Sequence, residues 1–195
     1  MNAHLRPIPS PNTLVTDALN TPALVWDLDV LDDRLCANER FANEHGCQLY
    51  YSIKAASVAP VIDRIGRRVS GFSCSSPFEA RLARHVLGNR GSVHITSPAL
   101  NAQECLELRD TCDRVAFNSL SQMDLIKPGL HKEIETGLRI NPQVSVVADP
   151  RIDPCRANSK LGIPLSLLQN QIKGNPEILD DITGFHIHIG CGNRT

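Results

Sequence analysis

Short apolar runs alternate with amphipathic stretches along most of this chain, and that alternation limits the possible fold more than any other feature. The runs predicted as strands are residues 23–26, 49–54, 69–73, 93–96, 114–117, 137–140 and 184–189. Strands that alternate with helices predict an α/β fold with a parallel sheet and right-handed crossovers. Their shortness and spacing favour a (β/α)8 barrel of the TIM type, with a doubly wound sheet as the competing architecture. No G-x-G-x-x-G motif follows the first run, so dinucleotide binding has no support.

The stretches between these runs contain recognisable helix starts. Residues 76–79 (SPFE) combine a capping serine, a proline at the first helical position and a glutamate three residues after the cap. Residues 101–104 (NAQE) resemble a second capping box, and Ser119 is predicted to open a further helix. Asp29 is predicted to cap the first helix of the chain. These signals place helices between the predicted strands, as a barrel requires.

Composition indicates one ordinary globular domain. The 195 residues are 42% hydrophobic and 21% charged, and the formal net charge of -1 gives no electrostatic footprint for nucleic acid or an anionic membrane. No apolar run reaches the roughly 18 residues that a membrane span requires. Residues 1–20 are expected to form a loose N-terminal arm without a signal peptide, and residues 21–195 to form the domain.

The cysteines indicate a reducing compartment. There are seven of them, an odd number, and no two stand in a C-x-x-C pair. This scatter argues against a disulfide framework and against a structural zinc ribbon. We therefore expect a cytoplasmic protein in which most thiols are small buried apolar groups.

Residues with useful chemistry stand where the predicted strands end. Lys54 closes the run 49–54, Arg139 lies near the end of 137–140, and His186 and His188 lie in the last run. In a barrel, the carboxyl ends of all strands meet at one mouth, where such enzymes carry their active sites. A lysine there can form a Schiff base with pyridoxal 5'-phosphate, and an imidazole can lie against the ring of that cofactor.

Plainer interpretations of the same residues stay open. A lysine after a strand is usually a solvated charge, and Arg139 could equally be a solvated arginine at the mouth. A His-x-His pair points both rings to one face of a strand, so His186 and His188 could be structural, or could bind zinc or iron in a metal hydrolase. Glu79 could orient Lys54, although its place in a helix cap favours a structural role.

Several segments resemble one enzyme family. Residues 51–55 (YSIKA) resemble the Schiff-base strand, and residues 184–190 (GFHIHIG) the cofactor-stacking strand, of the alanine-racemase-like, fold-type III pyridoxal-phosphate decarboxylases. That group contains the ornithine, arginine and diaminopimelate decarboxylases. Within it, residues 112–122, 137–142 and 153–162 are most similar to the carboxynorspermidine decarboxylase branch.

The resemblance implies that the chain binds pyridoxal 5'-phosphate and belongs to an enzyme that decarboxylates a small amino-acid substrate. It implies that Lys54 carries the cofactor, that His188 stacks on its ring, that Arg139 lies near it and that Cys191 approaches its phosphate. The implied substrate is carboxynorspermidine or carboxyspermidine, in spermidine and polyamine biosynthesis. Diaminopimelate or another basic amino acid is the alternative. The implied assembly is a cytoplasmic homodimer, with neither nucleic acid nor membrane as a partner.

Members of this family are about twice as long as the chain. The resemblance therefore implies the N-terminal portion of a barrel, incomplete at the C-terminus, with the final strands and a β-rich domain absent. On that basis we expect that the 195-residue chain does not decarboxylate by itself. The competing hypothesis is a truncated, inactive barrel fragment with a binding or regulatory role.

Overall fold

The structure, a computed structural model, describes residues 22–147 and 149–190. The predicted arm of residues 1–20 lies outside this part of the chain. The described residues form a parallel sheet with helices packed on one of its faces. No helix in this part of the chain is long and apolar enough to cross a bilayer.

All strand pairs in the sheet are parallel, as the alternation of strands and helices predicted. The strands are β1 (Tyr50–Ser52), β2 (Gly71–Cys74), β3 (Ser92–Ile95), β4 (Arg114–Phe117), β5 (Glu135–Asn141), β6 (Ile163–Pro164) and β7 (Ile182–Ile187). They pair in the order β1-β2-β3-β4-β5, with β6 and β7 both pairing with β5. A doubly wound sheet reverses its strand order at a switch point, whereas this order follows the chain, as in a (β/α) barrel.

Helices connect the strands as crossovers. They are α1 (Leu28–Glu44), α2 (Ala59–Gly66), α3 (Pro77–Leu87), α4 (Ala102–Leu108), α5 (Leu120–Ile126) and α6 (Leu165–Gly174), with 3-10 turns at Ile53–Ala55, Lys127–Gly129 and Pro176–Leu179. The predicted loop between β5 and α6 contains only the two-residue β6, which sequence patterns did not indicate because so short a strand has no periodicity.

The predicted helix caps are largely confirmed. The Oγ atoms of Ser76 and Ser119 accept hydrogen bonds from the backbone N–H three residues later, and Asn101 forms a full capping box with Glu104. The cap predicted at Asp29 was wrong. Asp27 caps α1 instead, because its Oδ1 accepts the N–H of Val30 at 2.9 Å and Asp29 already lies in the first turn.

The strand predicted at residues 23–26 was also wrong. These residues belong to no strand or helix, and Leu24 is 75% exposed. The apolar composition fits a strand, but a strand also needs a partner with which to form a ladder. No described residue provides one beside this segment, because β2 alone pairs with β1.

The two faces of the sheet have different roles. Phe72, Val93, Val115 and Leu138 are buried in the core between the sheet and its helices. Residues that alternate with them are polar or small, and they line a concavity of about 450 Å³ on the other face; they include Ser73, His94, Arg114, Ala116 and Gly137. The period of two along each strand separates core from concavity. Groups at the carboxyl ends of the strands therefore stand at the rim of this concavity.

Candidate functional site

Lys54 lies immediately after β1, within the 3-10 turn and not in the strand as predicted. The turn is held from both sides, because Ile53 is fully buried and the Tyr51 hydroxyl donates a hydrogen bond to the carbonyl of Ala56 at 3.3 Å. Between these anchors the Lys54 side chain is exposed. A rigid support with a free amine suits a residue that reacts with a ligand at the mouth.

Arg139 lies in β5, and only 9% of its surface is exposed. Burial lowers the pKa of its guanidinium from the usual value. Among the residues that the structure describes, no carboxylate forms an ion pair with it. A buried cation without an acidic partner is costly, so this position fits an anionic ligand better than a structural salt bridge.

His186 and His188 project from the same face at the end of β7, as their spacing predicted. His186 is opposite Arg139 in the β5–β7 register, while His188 lies one residue beyond the last strand residue. Burial, followed by the charge of Arg139, lowers the pKa of His186 to about 4 and lowers that of His188 as well. Both imidazoles are therefore neutral at neutral pH.

The causes of these lowered pKa values also show that the predicted residues lie near one another. The charges of Arg139 and Lys54 both contribute to the lowered pKa values of His186 and His188. The structure therefore places all four groups in a shared field at the carboxyl edge of the sheet. Cys191, the remaining predicted site residue, lies outside the described residues.

The geometry supports neither a metal site nor a role for Glu79 in orienting Lys54. Within residues 22–147 and 149–190, no three His, Cys, Asp or Glu side chains are grouped so as to hold a metal ion. The Glu79 carboxylate accepts hydrogen bonds from the backbone N–H of Ser75 at 2.7 Å and from its hydroxyl at 3.0 Å. Glu79 thus stabilises the turn before α3, which agrees with the structural role favoured above.

Sequence reasoning missed a side-chain network that supports the mouth. Gln122 accepts the N–H of Asn118 at 2.7 Å and donates to the carbonyl of Ser97 at 2.9 Å. Asn118 in turn accepts the N–H of Gly162 at 2.8 Å and donates to the carbonyl of Lys160 at 2.9 Å. The network joins the ends of β3 and β4 to the loop before β6. From the sequence, residues 118–122 indicated a helix start and lay in the family-like segment 112–122, but neither signal gives these contacts.

The residues present fit pyridoxal 5'-phosphate. Lys54 offers a primary amine for its aldehyde, Arg139 a cation for its negative charge, and His188 a neutral ring for its aromatic face. A sequential parallel α/β sheet with these groups at its carboxyl edge defines the cofactor-binding domain of a barrel-type enzyme.

This chain belongs to the pyridoxal-dependent decarboxylase family. The family's sequence profile, described as "Pyridoxal-dependent decarboxylase, pyridoxal binding domain", matches residues 35–195. The match covers every strand of the sheet and confirms pyridoxal 5'-phosphate as the cofactor of the family.

The proteins similar to this chain include decarboxylases with named substrates. A carboxyaminopropylagmatine decarboxylase from Synechocystis is 27% identical over 89% of this chain and 43% of its own length. A carboxynorspermidine/carboxyspermidine decarboxylase from Herminiimonas arsenicoxydans is 29% identical over 90% of this chain and 46% of its own. The crystal structure of carboxynorspermidine decarboxylase complexed with norspermidine from Campylobacter jejuni superposes with a TM-score of 0.73 at 23% identity, covering 87% of this chain and 41% of that one. The chain therefore spans less than half the length of these relatives.

Proposed function

We propose that the protein carrying this chain is a pyridoxal-phosphate-dependent decarboxylase that acts on carboxynorspermidine or carboxyspermidine in polyamine biosynthesis. The observation that carries the proposal is the convergence of Lys54, Arg139 and His188 at one edge of a pyridoxal-binding domain. The substrate class rests on the names of the relatives, which include carboxynorspermidine/carboxyspermidine decarboxylase. Diaminopimelate is the alternative substrate.

Each site residue has a distinct proposed role. When bound, pyridoxal 5'-phosphate supplies an electron sink for the pair of electrons that loss of the carboxylate leaves behind. Lys54 would bind the cofactor covalently through its Nζ and, once free, would deliver a proton to the substrate carbon in place of the lost carboxylate. His188 holds one face of the cofactor and excludes water from it. The proposed role of Arg139 is to orient the cofactor by charge, and that of Cys191 is to contact its phosphate.

The proposed setting is a cytoplasmic homodimer that binds a small amino-acid substrate and neither nucleic acid nor membrane. The six cysteines in the described part of the chain are all free thiols, which suits a reducing compartment. Sedimentation equilibrium of the purified protein tests the assembly, and a single species of monomer mass would overturn it.

The attachment of the cofactor is the first point to test. The protein is first incubated with pyridoxal 5'-phosphate and then reduced with borohydride. Peptide mapping should then find the phosphopyridoxyl group on Lys54. Lys54→Ala should abolish both the label and turnover. Lys132→Ala is the matched control, because Lys132 is also exposed but lies in the turn before β5, at the opposite edge of the sheet. A label on another lysine with Lys54 unmodified would refute the assignment.

The substrate is tested with the complete protein that carries this chain, because the 195 residues alone are not expected to decarboxylate. The measurement is carbon dioxide release from carboxynorspermidine, carboxyspermidine and meso-diaminopimelate at equal concentrations. We expect the highest kcat/KM with one of the first two. A higher value with meso-diaminopimelate would transfer the assignment to the alternative substrate. Cofactor binding at Lys54 with no release from any of them would instead favour a binding or regulatory role.

A further inference from the structure

The main chain at His188 lies beyond the ladder that holds β7. The last pair in the β5–β7 register is Ile140 with Ile187, so His188 is the first residue after the paired part of the strand. A residue just past the end of a strand usually inherits the mobility of the loop that follows. A residue that must meet a flat ligand ring at a fixed distance needs constraint on its main chain.

Cys155 supplies such a constraint from the loop between β5 and β6. Its Sγ donates a hydrogen bond to the carbonyl oxygen of His188 at 3.3 Å, and its side chain is buried, with 3% of the residue exposed. Burial raises the pKa of the thiol, so it stays protonated and keeps its hydrogen for donation at neutral pH. A protonated, buried thiol is a poor nucleophile, which argues for a structural contact here.

The position of Cys155 is itself fixed by its neighbour in the loop. The Oδ1 atom of Asp153 accepts the backbone N–H of Cys155 at 2.8 Å, and Asp153 is also buried. A carboxylate that accepts the N–H two residues later closes an Asx turn, which limits the freedom of the loop at that point. The contact to His188 therefore comes from an ordered part of the loop.

We propose that Cys155 is a positioning residue that holds the main chain at His188, and thereby its ring, where the ring meets the cofactor. The role of the ring rests on the function proposed above, whereas the effect on the main chain does not. Removing the thiol hydrogen should loosen residues 186–190 without changing any group that touches the ligand.

The test compares Cys155→Ala, Cys155→Ser and Cys105→Ala. Serine keeps a donor at the same position, so it should preserve the contact. Cys105 is the matched control, because its buried Sγ also donates to a backbone carbonyl, that of Ile126 at 3.4 Å, away from the strand ends. Alanine at either position loses one thiol hydrogen bond and leaves a similar small cavity.

Hydrogen–deuterium exchange of the protein without cofactor is the first readout. Cys155→Ala should speed exchange in peptides covering residues 186–190 by about threefold or more, while Cys155→Ser and Cys105→Ala leave those peptides unchanged. Unchanged exchange in Cys155→Ala, or an equal increase in Cys105→Ala, would overturn the proposal. This readout does not depend on whether the protein binds pyridoxal 5'-phosphate.

Titration with pyridoxal 5'-phosphate, followed by absorbance, is the second readout. Cys155→Ala should weaken binding by about three- to tenfold, and serine should restore it to near the parent value. Equal affinity in the parent and Cys155→Ala would show that the thiol only fills space. A parent protein that binds no pyridoxal 5'-phosphate would refute the proposed function, and exchange alone would then decide the role of Cys155.

Discussion

Replacing Gly162 with alanine should destabilise the protein more than an ordinary glycine replacement. Gly162 has a φ of +83°, a conformation that residues with a Cβ rarely adopt. A Cβ at this position would lie 3.0 Å from the backbone N of Asn141 and 3.1 Å from the carbonyl oxygen of Arg139. These atoms belong to β5 and cannot rotate away, so the strand itself must shift by a few tenths of an ångström.

The expected loss combines two effects of similar size. The unfavourable φ costs about 1 kcal/mol, and overpacking against a fixed strand adds about 2 kcal/mol, so the free energy of unfolding should fall by about 3 kcal/mol. Gly88→Ala is the matched control, because Gly88 has a φ of +58° but open space around its Cβ. It should cost only about 1 kcal/mol. Gly174→Ala, with open space and no positive φ, reports the stabilisation that a Cβ gives by lowering the conformational entropy of the unfolded chain.

Urea denaturation followed by circular dichroism measures all three variants, with unfolding free energies from linear extrapolation. Because the clash falls on the backbone of Arg139, Gly162→Ala should also weaken binding of pyridoxal 5'-phosphate, whereas Gly88→Ala should not. A Gly162→Ala variant no less stable than Gly88→Ala would refute the reasoning. It would mean that the loop before β6 moves away from β5 at little cost.

Three further predictions concern individual side chains. His188→Ala should weaken cofactor binding and turnover far more than His186→Ala, and an equal loss in both variants together with bound zinc would favour a metal site. The pKa values of His94 and His186, lowered to about 4 in the folded state by burial first, predict that stability is complete above the unfolded pKa of about 6.5. It should then fall between about pH 6.5 and 4 by up to about 3 kcal/mol for each ring, and a flat urea midpoint over that range would contradict this. Ser76→Ala should lower the unfolding free energy by about 1 kcal/mol through loss of the α3 cap, measured by the same titration.

Much of the fold follows from patterns that are local in the sequence. Residues 114–117 form a strand as predicted, and Ser76, Asn101 and Ser119 cap helices, because strand composition and capping depend on neighbours within a few residues. The same reasoning wrongly predicted a strand at residues 23–26, because a strand also requires a partner from elsewhere in the chain. No local pattern reports whether that partner is present.

The site was predictable in its residue types but not in its contacts. The strand-end positions of Lys54, Arg139 and His188 could be inferred from the alternation, because parallel strands bring their carboxyl ends to one edge. Two features could not be inferred: that no acidic side chain in the described part of the chain pairs with Arg139, and that the thiol of Cys155 contacts His188. Both depend on where the loop of residues 142–162 lies, and long loops are held by specific long-range contacts that carry no periodic signal.

The two histidines of β7 show why position along a strand decides a proposed role. Both rings project to one face, and residues two apart in a strand are separated by roughly 6.5 Å along it. His186 is level with Arg139 inside the sheet, and it lines the concavity together with His94. His188 lies past the ladder, at the rim where Lys54 also emerges. A ligand bound covalently to Lys54 lies over the strand ends, so it should meet the ring of His188 before that of His186. The neutral His186 would then fill the space beneath and add no charge beside Arg139.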